Sequence, residues 1–120
     1  MSEDNVDNAL LEKFEKEVLS QVPHIEEKDG KVEIVNATPL LDLSDDLKEC
    51  AKKVYDVDIS EKDFKVYGKF DGTLLTGSIK LRPAINIIHD AIATGKIKTG
   101  TTVIEATSGN FGIALGLLSK

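Results

Sequence analysis

Two short stretches of this chain hold the residue types that do chemistry. The first is T-G-S-I-K, residues 76–80, which sets a lysine right behind a Gly-Ser pair. The second is T-S-G-N, residues 107–110, dense in small polar groups. Lys80 has three readings: a solvated residue at a helix start, a phosphate clamp, or a nucleophile. Thr107, Ser108 and Asn110 offer neutral donors with no competing negative charge, and Gly109 lets a backbone approach a ligand. Such a set suits a carboxylate. It equally suits a cluster that caps the next helix.

Other chemistries fit less well. Gly72, Gly77, Ser78 and Lys80 have some likeness to a nucleotide-binding P-loop. In that loop the lysine directly follows the second glycine, because the turn wraps the phosphates tightly. Lys80 stands three positions after Gly77, so the match fails. With one cysteine, Cys50, and two distant histidines, His24 and His89, neither a disulfide framework nor a metal site is expected. The formal net charge of −6 gives a nucleic-acid role little support. That charge is uneven: residues 1–63 carry 18 acids and 8 bases, whereas residues 64–120 carry 3 acids and 7 bases. One reading is a solvated acidic front end; the other is a second half that faces a small anionic ligand. The acidic N-terminus lacks the apolar core of a signal peptide, and no apolar run approaches the roughly 18–20 residues of a membrane span. The expected compartment is the cytoplasm.

The elements that must position these loops follow from periodicity. Leu10, Leu11, Phe14, Val18 and Leu19 form one stripe in residues 6–22, an amphipathic helix stopped by Pro23. Residues 26–31 read as a turn-rich linker, and V-E-I-V after them as a short strand. A second helix is expected over 44–55, with Ser44 as its N-cap and Asp45 and Asp46 at the positive end of its dipole. Residues 64–70 read as a strand. L-R-P-A-I-N-I-I-H-D-A-I-A-T-G-K reads as a helix starting near Leu81, because Pro83 suits only a first turn, and Gly95 marks its end. T-T-V-I-E-A, residues 101–106, reads as a strand, and a helix follows the T-S-G-N loop, with Gly112 and Gly116 on one face. The second half is thus strand–helix–strand–helix, the pattern of a parallel α/β sheet. Both loops then lie where a strand hands over to a helix, side by side at the carboxyl ends of adjacent parallel strands. Two strands and two helices do not close such a sheet. The expectation is a piece of a larger protein, or a chain completed by a partner.

Together the loops have a wider likeness. T-P-L-L at 38–41, K-F-D at 69–71, G-S-I-K-L-R-P-A at 77–84, G-K-I-K-T-G at 95–100 and V-I-E-A-T-S-G-N-F-G-I-A-L at 103–115 occur in one order and spacing. This series resembles the fold-type II pyridoxal-phosphate enzymes, in the branch of cysteine synthase and cystathionine β-synthase. The likeness covers roughly Val35 to Lys120 and none of the N-terminal extension.

The resemblance implies an α/β fold, a partial open parallel sheet with flanking helices of the tryptophan synthase β kind, preceded by the N-terminal helix. It implies a division into residues 1–30, a helical extension, and 31–120, the N-terminal part of the catalytic domain. Lys80 matches the Schiff-base lysine, with pyridoxal 5'-phosphate as cofactor. Thr107, Ser108, Gly109 and Asn110 match the loop that grips the substrate carboxylate, and Asn110 also matches the residue that bonds the cofactor's ring hydroxyl. A lysine that is buried at the positive end of a helix keeps more of its amine neutral, ready to attack an aldehyde and later to take a substrate proton. The implied reaction is β-replacement on a serine-derived amino acid through an aminoacrylate, in a homodimer. The family's phosphate cradle and its pyridine-nitrogen partner lie later than the matched stretch, so these 120 residues alone are expected to bind cofactor poorly and to be inactive.

The chain departs from the pattern at three places. Leu81 stands where the family usually has aspartate, T-L-L-T precedes Gly77 in place of an Asn-Pro turn, and Phe111 replaces a small polar residue. These bear on substrate identity, and Phe111 is expected to narrow the site. A serine/threonine dehydratase is the second reading; Pro83 and T-S-G-N-F argue against it. A non-catalytic paralogue or interaction module is the third, and the N-terminal helix and the departures would suit it.

Overall fold

A computed structural model describes residues 5–120. Its contacts group the chain into two compact units. One takes in the described residues as far as Ala37 together with Asp71–Lys120; the other is Thr38–Phe70.

The first unit is organised by a helix, α3, named here with the elements that precede it. Helix α1 is Asn8–Glu17, strands β1 and β2 are His24–Lys28 and Lys31–Val35, and α3 is Leu81–Ala93. The last helix, α4, is Asn110–Leu118. Helix α3 begins at Leu81, with Pro83 in the first turn where a missing N–H costs nothing. It ends on Gly95, whose φ of 70° lets Gly95 N–H reach Ile92 O and Lys96 N–H reach Ala91 O, the double closure that glycine makes possible. Its apolar stripe, Leu81, Ala84, Ile85, Ile88 and Ile92, is buried. Phe14 of α1, Leu74, and Ala114 and Leu115 of α4 complete that core.

Helix α1 is shorter than the 6–22 stripe: it stops at Glu17, and a 3-10 turn at Leu19–Gln21 follows. Asp7 caps it by accepting from Leu10 N–H at 3.1 Å. The same carboxylate accepts from Thr99 N–H at 3.0 Å and from the Thr99 hydroxyl at 2.8 Å. Glu15 pairs with His89 of α3 at 2.9 Å. The helix is thereby tied to α3 and to the turn after it.

Residues 26–31 are not a linker. Strands β1 and β2 pair antiparallel, with Ile25 opposite Ile34. Asp29 and Gly30 close them with φ of 53° and 71°, the two positive values a tight primed turn requires.

In the second unit, β3 (Leu40–Asp42) pairs antiparallel with β4 (Tyr67–Lys69), on either side of α2 (Ser44–Tyr55). Ser44 does not cap α2. It is buried, and its hydroxyl accepts from Val66 N–H at 2.9 Å, stitching the helix start to the strand that returns. Asp42 takes over at the helix entry, accepting from Ser44 N–H at 3.0 Å.

The expected parallel sheet is not formed among the described residues, whose sheets are the two antiparallel pairs. Residues 101–106 are extended but unpaired, with Ile104 89% exposed. Their β-branched composition suits a strand, but a strand is held by the ladder it shares, and no parallel neighbour lies beside it among the described residues. The fold is mixed α/β with small sheets.

Two outcomes are expected of this core. Ile92 is 2% exposed, so Ile92→Ala should cost about 2–5 kcal/mol of unfolding free energy in a urea titration. Asp7's carboxyl is held below its usual range, chiefly by the Thr99 N–H and then by the Leu10 N–H. A carboxylate lowered in the fold stabilises it above the unfolded value, and that contribution is lost as pH falls through the lower folded value. Protection of α1 amides from hydrogen exchange should therefore hold at neutral pH and decline below roughly pH 4. Asp7→Asn, whose amide nitrogen cannot accept from Thr99, should show the loosened α1 at neutral pH.

Candidate functional site

The loop that delivers Lys80 is built from tight turns. A 3-10 turn spans Asp71–Thr73, and Leu74 N–H closes on Asp71 O at 3.1 Å. The Leu74 side chain is buried, anchoring the loop to the core. Gly77 N–H closes the next turn on Leu74 O at 2.7 Å, and Gly77 takes φ of 69°, a conformation that favours glycine. Lys80 N–H reaches the Ser78 hydroxyl at 3.3 Å. Leu81 and Arg82 N–H groups bond back to Ser78 and Ile79 carbonyls, so the chain is already coiled when α3 begins.

Lys80 stands immediately ahead of α3 and is exposed. The resemblance implied a buried lysine; the structure leaves this one exposed. Among the described residues its ammonium makes no hydrogen bond or ion pair. Leu81, the first departure from the family pattern, points the other way and is 1% exposed. Phe111, another departure, is half-buried and packs against the same core. Both substitutions are absorbed by packing.

The second loop heads α4. Thr107 Oγ1 accepts from Gly109 N–H at 3.3 Å and from Gly112 N–H at 3.1 Å, satisfying an amide of the first turn that has no partner in the helix. Gly109 takes φ of 146°, outside the reach of ordinary side chains. A Cβ on Gly112 would collide with the Thr107 methyl, whereas Gly116 faces open space. Ser108 and Asn110 are exposed, and their side chains make no hydrogen bond among the described residues. The capping and the ligand-binding readings thus divide between residues: Thr107 caps, while Ser108 and Asn110 keep free donors.

The structure brings Thr107, Ser108, Gly109 and Asn110 into one turn and places Lys80 at the head of a different helix. The two helices, α3 and α4, pack on each other, each contributing an alanine with no exposure, Ala84 and Ala114. Helix packing, not adjacent strands, relates the loops here. An amine that reacts with an aldehyde, together with neutral donors for an anion, is a donor set that fits pyridoxal phosphate and an amino-acid carboxylate.

Two features went unseen in the sequence. Asp71 and Arg82 form a two-point pair, Nε to Oδ2 at 2.7 Å and Nη2 to Oδ1 at 2.9 Å, and the carboxylate's bonds push the Arg82 guanidinium further up. Opposite charges flanking the loop were the available signal. Thr76 Oγ1, at the loop's centre, is buried without a partner among the described residues. A cavity of about 630 Å³ in the first unit, lined by Leu10, Phe14, Val18, Leu81, Ile88 and Ile92 among others, holds none of the candidate site residues. Its wall is mainly apolar, with Lys13, Glu17 and Lys98 also on it.

A family model described as pyridoxal-phosphate dependent enzyme matches residues 35–120. A cysteine synthase of Aquifex aeolicus is 36% identical over 96 residues, covering 80% of this chain and 27% of that protein. An O-acetylserine dependent cystathionine beta-synthase of Bacillus subtilis is 39% identical over 88 residues, covering 73% of this chain and 25% of its own length. Cysteine synthase B of Escherichia coli is 46% identical over 55 residues, covering 46% of this chain and 18% of its own. The chain spans about a quarter or less of the length of these relatives. No solved structure gives a significant match.

The cap at α4 is directly testable. Thr107→Val keeps the shape but removes the acceptor, and should cost about 1 kcal/mol of stability with faster hydrogen exchange at Gly112. Thr107→Ser should restore both.

Proposed function

The chain belongs to the pyridoxal-phosphate dependent enzymes, in the family of cysteine synthase and cystathionine β-synthase, and from that membership we propose that it carries the lysine and carboxylate loops of a β-replacement enzyme. The substrate in this reading is a serine-derived amino acid with a leaving group on its β-carbon. O-acetylserine, in the printed name of the Bacillus relative, is the first to try. The observation that carries the reading is the uncommitted amine of Lys80 at the head of α3, within a matched stretch that also contains the free donors of Ser108 and Asn110.

In this reading Lys80 would hold the cofactor through its amine, and the same amine would move the proton at the substrate α-carbon. Thr107, Ser108, Asn110 and the Gly109 backbone would orient the substrate carboxylate, and Asn110 would also bond the cofactor's ring hydroxyl. When bound, the cofactor supplies the electron sink for bond breaking at the α-carbon. Asn110 and Phe111 head α4, whose first N–H groups favour an anion. The reading extends to residues 31–120 as part of the catalytic domain with 1–30 as an extension, to residues 101–106 pairing as a parallel strand in the assembled domain, and to a cytoplasmic homodimer.

Borohydride reduction of the longest expressible protein containing these residues, with pyridoxal phosphate, followed by digestion and mass spectrometry, tests the reading. The expected product is a pyridoxyl group on Lys80. Lys80→Ala should fold, lose that label and lose turnover of O-acetylserine by at least about 10²–10⁴-fold. A folded chain unlabelled at Lys80 would replace this reading with the interaction module.

A further inference from the structure

We propose that the Asp71–Arg82 pair is the positioning device for the Lys80 amine. The inference rests on the reading of Lys80 as the cofactor lysine. Asp71 opens the loop and Arg82 lies in the first turn of α3, so the pair ties together the two ends of the segment that delivers Lys80.

The geometry is the strong form of an ion pair. Both carboxylate oxygens are used, Oδ2 by Nε at 2.7 Å and Oδ1 by Nη2 at 2.9 Å, which fixes orientation as well as distance. The Asp71 side chain is 11% exposed, so water competes weakly for it. Inside the loop, four backbone bonds each close a three-residue step: 74 to 71, 77 to 74, 81 to 78 and 82 to 79. Such turns shape the chain but do not fix where one end of the loop stands relative to the other. Leu74 anchors the middle by burial, which is not directional. The fork supplies the directional constraint.

Arg82 stands two residues beyond Lys80. At about 100° per residue the two side chains leave the helix on nearly opposite sides. The fork therefore holds the first turn from behind without touching the amine, and the backbone at Lys80, φ −68° and ψ −16°, is fixed between the fork and the helix. Displacing a reacting group by about 1 Å is enough to cost about 10²-fold in rate.

The experiment compares the rate at which Lys80 is labelled by pyridoxal phosphate and borohydride in the longest expressible protein containing these residues, its Arg82→Lys variant, and the exchanged pair Asp71→Arg with Arg82→Asp. Thermal unfolding is measured alongside. Arg82→Lys keeps the charge and removes the fork. The expected result is unchanged melting with labelling at Lys80 slowed about ten- to hundred-fold, labelling at other lysines unaltered, and partial recovery in the exchanged pair. Equal labelling rates at equal stability overturn the inference and leave the functional reading intact. No labelling of Lys80 in the unaltered chain overturns the functional reading and this inference with it. Should Arg82→Lys fail to fold, Asp71→Asn replaces it; if that also fails, the pair is structural and the inference is overturned.

Discussion

One helix must bury one face, and most of the first unit follows from it. Leu81, Ala84, Ile85, Ile88 and Ile92 recur at helical spacing and are all buried. Each fully buried leucine or isoleucine contributes about 1.5–3 kcal/mol. Phe14, Leu74 and Leu115 reach the same stripe from three separate segments. Because the helix turns about 100° per residue, burying Leu81 forces its neighbour outward. Lys80 falls on the side of Pro83 and Ile87, which are exposed. Burial of Leu81 thus sets the face on which Lys80 emerges, and among the described residues the amine makes no contact of its own.

The parts of the fold that could be read from the sequence were those stated by a single segment. Helix α3 declares its stripe, its first-turn proline and its terminal glycine within one run of residues, and it forms as written. Pairing between segments was harder. Residues 26–31 read as a turn-rich linker, with V-E-I-V alone as a strand, and the paired β1 strand is heavily charged, with Glu26 opposite Glu33 and Lys28 opposite Lys31, pairs that oppose the sheet. Asp29-Gly30, the strongest local signal for a primed turn, outweighed them. Residues 101–106 differ the other way. Their composition announces a strand, but composition names no neighbour, and Ile104 stands exposed. Ser44 illustrates a third limit. A serine before a helical run is equally good as a cap or as a partner for a strand that returns 22 residues later, and only the fold chooses.

The candidate site divides in the same manner. The amine, the donor-rich turn and their positions at helix heads were legible, because each lies in one short stretch. The capping role of Thr107 was foreseen only as an alternative for the whole cluster. The structure gives that role to one hydroxyl, since it alone reaches both Gly109 and Gly112 N–H groups. The Asp71–Arg82 fork was not legible at all. Eleven positions separate the partners, and their meeting depends on the turns at Leu74 and Gly77.

The fork also bears on the charge of the second half. Residues 64–120 contain three acids, Asp71, Asp90 and Glu105. Asp71 is the one in the loop with Lys80, and a free carboxylate there would compete for the ammonium. An exposed lysine–carboxylate contact is worth only about 0–1 kcal/mol. A planar guanidinium that meets both oxygens at once binds the same carboxylate better than a point ammonium does. Arg82 therefore takes Asp71 out of contention. Asp90 sits a full ten residues along α3, on its exposed side. The acid-poor composition and the fork then act together. A lysine stays unpaired on a protein surface where the nearby carboxylates are few or already held.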